Sequence, residues 1–421
     1  MEKTGLIFGG GGARGSYEIG VWMALRDLEI ESEIDGVAGT SIGALNMALF
    51  AQGDLHGAVT LWTELSKNDI VHVDAQKIAL ALTAALVAAK APQKASILAR
   101  YIKPDTIYKT GMFSQSYIKQ IISHYIDPIK LLLSPRDLYA CCCQLPLFKA
   151  EYFSLKEWSA GPIASILLAS AAIPGFFDAV KLNKHQYYDG GLKDNVPVRP
   201  LYELGYRRII AVNLNPEKEL KISAFPEAEL YVITPQQKEL FQCGITKVLS
   251  FDPKTNVQRI YSGYRDAVGV LANFPAQRRS NLYQQRESFL PAQLNEVLRL
   301  ENGLDVVIFG AEIRILHNQR YVFLHVGTQM AGNAELTQAC PMLATGFLLV
   351  FPDGRRSYVD LNTGEDHMYE FPLYLVKGQG TQGYMAFQLP EDVSSFSLII
   401  TDHFNNTPKG PNHFMDFSIQ E

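Results

Sequence analysis

The sequence has little excess charge of either sign: 38 Lys+Arg stand against 43 Asp+Glu in 421 residues, a net of -5. A protein that binds nucleic acid over its whole surface would be markedly basic, so that class is excluded. The same balance gives no support for wholesale electrostatic attachment to anionic membranes. Cysteine is sparse as well. Three of the five are consecutive, Cys141, Cys142 and Cys143, and neighbours on a strand point to opposite faces. With no CxxC or paired-His spacing around them, they read as neither a disulfide framework nor a metal site. Small buried hydrophobes in a reducing compartment are the expectation. Long apolar runs are missing too. The most apolar stretch elsewhere, Ile78 to Ala89, falls short of the ~20 residues needed to cross a bilayer and is expected to be a core helix. Near the start, Leu6-Ile7-Phe8 runs at once into glycines, too short for the apolar region of a secretory leader. Taking Met1 as the start, a cytoplasmic location with transient membrane association is expected.

What is present is a globular composition. Hydrophobic residues make up 47% of the chain, which excludes disorder as the dominant state. The length suggests two or three domains. Residues 1–300 alternate strand and helix patterns. Leu6–Phe8, Ile34–Ala38, Leu138–Gln144, Arg208–Leu214 and Glu229–Thr234 read as strands. Ser16–Leu28, Ile42–Ala51, Asn256–Leu271 and Gln284–Leu300 read as helices. This alternation predicts an α/β domain with a mainly parallel central sheet and helices on both faces. After Glu301-Asn302-Gly303 the pattern changes to short strands: Ile308–Leu316, Tyr321–Val326, Phe347–Phe351, Ser357–Leu361, Tyr384–Leu389, Ser397–Thr401 and His413–Ile419. Residues 304–421 are therefore predicted to form a smaller, all-β, sandwich-like domain of unknown role.

Three motifs carry chemistry. Gly9 to Gly15 (GGGGARG) sits between the first strand and the first helix, where glycines let backbone N–H groups approach a ligand and the helix N-terminus adds positive potential. Gly10, Gly12 and Gly15 formally fit a dinucleotide fingerprint, a weak signal in isolation. A Walker A loop is excluded because Ser16 stands where the Lys should be. Gly39-Thr40-Ser41-Ile42-Gly43 is G-x-S-x-G between a strand and a helix, the context in which a sharp turn lifts a serine Oγ out of a sheet. Ser41 is thus a candidate nucleophile. The amides of Ile42 and of the Gly10–Gly12 loop are candidate donors to an oxyanion. The third motif is Asp189-Gly190-Gly191 after the strand-like Gln186-Tyr187-Tyr188, an aspartate that a serine could approach closely. None of the nine histidines occupies a recognisable catalytic context, so a Ser-His-Asp triad lacks its base.

Taken in order, G-G-G-x-R-G (Gly10 to Gly15), G-x-S-x-G (Gly39 to Gly43), the segment Ser170-Ala171-Ala172-Ile173-Pro174-Gly175-Phe176-Phe177 and D-G-G (Asp189 to Gly191) resemble the patatin-like phospholipases. The resemblance covers roughly residues 4–215. It implies a three-layer α/β/α fold and a Ser–Asp dyad, with Ser41 as nucleophile and Asp189 as general base. It also implies an oxyanion hole from Gly10, Gly11 and Gly12 with Arg14 nearby, and no metal or organic cofactor. The substrate would be a phospholipid or another lipid ester, cleaved through an acyl-serine intermediate, with peripheral membrane contact and no nucleic acid. An aspartate of ordinary pKa, ~3.9, is a weak base for a hydroxyl. The carboxylate is therefore expected to be desolvated and to act within a short hydrogen bond. Around Cys141–Cys143 the polar residues associated with many relatives are missing, which bears on head-group recognition rather than on the chemistry.

The sequence leaves two other readings. A nucleotide-binding oxidoreductase would use Gly10–Gly15 with Glu31, Glu33 or Asp35 as the ribose acid, but leaves Ser41 and Asp189 without a role. A latent or regulated hydrolase would work through the C-terminal β-domain, binding a membrane, a regulator, a partner or a second copy of the chain.

Overall fold

A computed structural model describes residues 2–64, 115–241, 251–271, 274–275, 282–300, 303–330, 340–342, 346–360, 363, 365–368, 373–375, 378–400 and 413–419. The apolar stretch Ile78–Ala89 lies outside the described residues. The chain divides into two compact units, Met1–Arg278 and Arg279–Glu421.

In the first unit, β1 (Thr4–Phe8) is buried at every position, as an interior strand covered on both faces requires. Its alternating side chains enter two different layers. Phe8 meets Phe50 edge to face at 6.0 Å, and Phe50 in turn meets Trp22 at 5.1 Å. Those rings belong to α1 (Ser16–Asp27) and α2 (Ile42–Gln52). On the opposite face Ile7 packs with Ala38, Val198, Leu201, Tyr206 and Ala211. Helices therefore flank a central eight-stranded sheet. With β2 (Ile34–Thr40), β3 (Asp137–Leu145), β4 (Lys149–Ser154), β5 (Val180–Leu182), β6 (His185–Asp189), β7 (Arg208–Val212) and β8 (Glu229–Ile233), its order is β5-β6-β3-β2-β1-β7-β8, with β4 also on β3. β3-β2-β1-β7-β8 is parallel; β4, β5 and β6 add antiparallel pairs. The expected α/β fold is observed. β4, β5 and the Ala160–Ser170 helix were not anticipated.

The helix expected over Gln284–Leu300 does not form. A short helical turn at Leu282–Gln285 gives way to a 3-10 turn, and then to β9 (Leu290–Pro291) and β10 (Leu298–Arg299). Pro291 has no amide to donate, and its ring would collide with the preceding helical turn. Both strands join the second unit. Its nine-stranded sheet also holds β11 (Leu304–Leu316), β12 (Gln319–Met330), β14 (Phe347–Val350), β15 (Arg356–Asp360), β17 (Gly380–Leu389), β18 (Ser395–Ile400) and β19 (His413–Ser418). A small pair, β13 (Cys340–Met342) with β16 (Leu373–Leu375), stands apart in the pairing. The sheet encloses one apolar core: Val306, Leu324 and Phe387 from one end of the strand order meet Leu349, Leu398 and Met415 from the other. All seven strands expected from the sequence are present. Among the described residues no helix is long and apolar enough to cross a membrane.

Candidate active site

The parallel strands bring the motifs to one end of the sheet. Phe8 pairs with Gly39, Gly39 with Ala140 and Thr40 with Cys141, while Cys142 pairs with Asp189 on β6. Ser41 and Asp189 thus lie on either side of β3, which the cysteine triplet occupies. All three cysteines are fully buried free thiols. Their small side chains fill the sheet interior, as expected.

Ser41 sits at φ 58°, ψ −127°, a conformation costly for a residue with a Cβ and characteristic of strain held at functional turns. The turn needs space behind it. A Cβ on Gly43 would run into the carbonyl oxygens of Phe8 and Gly9, so only glycine lets α2 start this close to the end of β1. The Ser41 amide donates to Ser170 Oγ at 2.9 Å, and Ser170 Oγ donates to the Cys141 carbonyl at 2.7 Å. Ser170 therefore ties the turn to β3.

Ser41 Oγ donates directly to Asp189 Oδ2 at 2.5 Å, the short end of hydroxyl–carboxylate distances. The Asp189 backbone is fixed through its amide to the Ala172 carbonyl at 2.9 Å. Its second oxygen, Oδ1, accepts from the Gly191 amide at 2.7 Å. A Cβ on Gly190 would strike the Cys141 carbonyl, which explains glycine at that position. Burial pushes the Asp189 carboxyl up to about 6, against the bonds from Ser41 and Gly191 that favour its charged form. This is the desolvated carboxylate in a short hydrogen bond that the sequence reading expected. Among the described residues no histidine bonds to either side chain. His185, four residues before Asp189, is exposed.

The glycine loop is held over the same point. Gly10 approaches so closely that a Cβ there would lie 3.3 Å from Ser41 Cβ. The Gly10 amide, one of the expected oxyanion donors, instead donates to the Asn195 carbonyl at 2.9 Å, and Asn195 Nδ2 donates back to the Gly10 carbonyl at 3.0 Å. The Gly11 and Gly12 amides meet no backbone carbonyl among the described residues, and Ile42 opens α2, where first-turn amides have no intrahelical acceptor. Those three amides are the available donors. Arg14 is buried, and its Nε donates to the Gly11 carbonyl at 3.1 Å. Gly15 packs on Ile42, and the space at Gly39 is filled by the first turn of α2.

Sequence reasoning missed several supporting residues. Arg259 Nη1 donates to the Ala13 carbonyl at 3.2 Å, and burial lowers its guanidinium to about 10, with Arg14 pressing the same way. Glu18 is fully buried and raised well above the usual carboxylate range by burial. It accepts from Asn46 Nδ2 at 2.7 Å; that amide also donates to the Gly15 carbonyl at 2.9 Å. Trp62 Nε1 closes the cluster on Asn46 Oδ1 at 3.0 Å. None has a spacing signal of its own. Glu18 and Asn46, as polar residues amid apolar helical faces, were the one available clue.

A serine at a strained strand–helix turn, bonded directly to the aspartate of D-G-G beneath a glycine loop, completes the local pattern. The family description "Patatin-like phospholipase" matches residues 6–202. That match covers 197 of the chain's 421 residues. Beyond that match, the chain is 28% identical over 213 residues to an uncharacterized NTE family protein of Mycobacterium tuberculosis, an alignment covering 51% of this chain and 49% of that protein. It is 24% identical over 214 residues to a lysophospholipase of Cryptococcus neoformans, covering 51% of this chain and 11% of the fungal one. A patatin-like phospholipase domain-containing protein of Caenorhabditis elegans is 26% identical over 223 residues, 52% of this chain and 14% of the relative. The chain thus spans about half the length of the mycobacterial relative and far less of the others. The match supports lipid ester hydrolysis at the level of the family.

Proposed function

We propose that this protein is a lipid acyl hydrolase of the phospholipase A or lysophospholipase type, acting through a Ser41–Asp189 dyad. The observation that carries the reading is the 2.5 Å hydrogen bond from Ser41 Oγ to Asp189 Oδ2, made by a buried carboxylate whose affinity for protons is raised toward neutrality. In acylation Ser41 Oγ attacks the ester carbonyl carbon while Asp189 Oδ2 takes the hydroxyl proton. The carbonyl oxygen gathers negative charge and is met by the amides of Gly11, Gly12 and Ile42, reinforced by the N-terminus of α2. Collapse of the tetrahedral intermediate breaks the bond to the alcohol oxygen, which leaves with the proton from Asp189. Water then attacks the acyl-serine carbonyl and gives its proton to Asp189; the acyl–Oγ bond breaks, Asp189 returns that proton to Ser41 Oγ, and the fatty acid leaves.

Gly10 contributes through geometry: its closed pair with Asn195 fixes the loop that presents the next two amides. Arg14 acts in the same way, by orienting the Gly11 peptide. The test is fatty-acid release from phospholipid, lysophospholipid and triacylglycerol substrates by the wild type and by Ser41→Ala. Release by the wild type alone supports the reading and names the lipid class. Equal release by both overturns the dyad.

A further inference from the structure

β3 does not stop at the level of the nucleophile. It continues four residues past Cys141, the partner of Thr40, to Leu145, about 13 Å of extended chain. There it turns into β4 through Pro146, Leu147 and Phe148. Alongside it, Leu145 pairs with Gln186 and Leu182 with His185, so the β5–β6 turn at Asn183-Lys184 ends at the same level. Two neighbouring hairpin tips therefore project from the end of the sheet that carries Ser41 and Asp189.

The chemistry of those tips is unusual for a solvated turn. Leu147 is 67% exposed and Phe148 50% exposed, side by side at the apex. Phe148 holds φ 48°, a left-handed conformation that a bulky side chain rarely adopts. Lys149 next to them, and Lys181 and Lys184 on the neighbouring β5–β6 hairpin, are all exposed. The nearest carboxylate on these hairpins, Glu151, accepts from the Tyr187 hydroxyl at 3.1 Å. Paired apolar side chains at a protruding apex within a collar of lysines match a surface with an apolar interior and anionic head groups. A protein partner would have to supply an acidic rim around an apolar socket. A bilayer supplies both everywhere, and it is where a lipid hydrolase finds its substrate.

We infer that the β3–β4 and β5–β6 hairpin tips dock the catalytic unit on anionic lipid bilayers, with Leu147 and Phe148 entering the head-group region and Lys149, Lys181 and Lys184 facing lipid phosphates. The choice of partner rests on the lipid-hydrolase reading. Docking here would set the mouth of the Ser41 site against the membrane, so that a lipid leaves the bilayer directly into it.

The test uses the full chain with sedimentable vesicles of non-hydrolysable diether phosphatidylcholine, with and without diether phosphatidylglycerol, alongside turnover of a soluble short-chain ester. The double variant Leu147→Ser, Phe148→Ser should lose on the order of ten-fold or more in vesicle partitioning. Its turnover of the soluble ester should be unchanged, which also shows that it is folded. Lys181→Gln with Lys184→Gln should weaken binding to the anionic vesicles by about five-fold per lysine, and binding to neutral vesicles hardly at all. Vesicle binding by the tip variant within two-fold of wild type overturns the inference, as does a wild type that binds neither vesicle. If the wild type binds vesicles through the tips but cleaves no soluble ester, the hydrolase reading fails and the docking surface stands.

Discussion

The two units distribute their difficult residues in opposite ways. In the second unit, polar side chains pair mostly at the surface, as Arg299 does with Asp305 and Arg286 with Asp416, while the interior is a continuous apolar cluster. In the first unit the strained Ser41, the buried Asp189 and Glu18, and four glycines with no space for a methyl group, Gly10, Gly39, Gly43 and Gly190, gather at one end of one sheet. Each would lower stability if it stood alone. A fold keeps such features where the surrounding packing over-determines them, which marks the site more sharply than any single motif.

That contrast can be broken or sharpened by experiment. The largest effects should come from the dyad. Ser41→Ala should abolish fatty-acid release, and Asp189→Asn should lower it by at least about 10³-fold without unfolding the protein, as read by release assays and circular dichroism. Next comes glycine. Gly43→Ala forces a Cβ onto two backbone oxygens and should destabilise by about 3 kcal/mol or more. Gly310→Ala in β11, where nothing stands within 4 Å of the added atom, should leave denaturant midpoints unmoved. Equal costs at the two positions would erase the contrast.

The buried carboxyl makes a pH prediction of both kinds. Activity should fall as the pH drops below about 6, because protonated Asp189 cannot accept the Ser41 proton. Stability runs the other way. A folded-state value raised from 3.8 to about 6 gives a contribution fully present below pH 3.8 and lost as the pH rises through about 6. Relative to Asp189→Asn, the wild type should therefore lose up to about 3 kcal/mol across that window in denaturation curves. Arg14→Ala, which frees the Gly11 peptide rather than removing a donor, should slow turnover by about 10- to 100-fold. The smallest effect is expected at the surface of the second unit, where Arg355→Ala removes exposed pairs with Asp353 and Asp392 and should leave the melting temperature within error.

Much of this was legible before any coordinates. β1 and β7 hold the apolar runs Leu6–Phe8 and Ile209–Val212 that suit interior strands, and the seven strands of the second unit are separated by turn residues. Reading failed where periodicity had no grip. β4 is half-buried along most of its length, so it shows no clean alternation, and β5 has only three residues. The Gln284–Leu300 region carries apolar residues at helical spacing, yet Pro291 and pairing with β11 and β19 make it extended. At the site, Ser41, Asp189 and the glycines announced themselves through spacing. Ser170 stood out only as part of a longer segment, with no role of its own, and Asn195 and Arg259 not at all, because each acts on a backbone carbonyl or amide far away in sequence.

The sequence by itself determined the chemistry on offer. It set a serine and an aspartate at strand ends, glycines where backbones must approach, and no histidine in a catalytic context. It also set the class of each unit, since hydrophobic periodicity is local. Only the tertiary structure decided that Asp189 is close enough to Ser41 to share its proton and buried enough to want it. It also decided that the Gly10 amide is taken by Asn195, and that Leu147 and Phe148 stand exposed beyond the site. Distances between residues 148 positions apart, and the water that packing removes from a carboxylate, are properties of strand register and enclosure that no local pattern encodes.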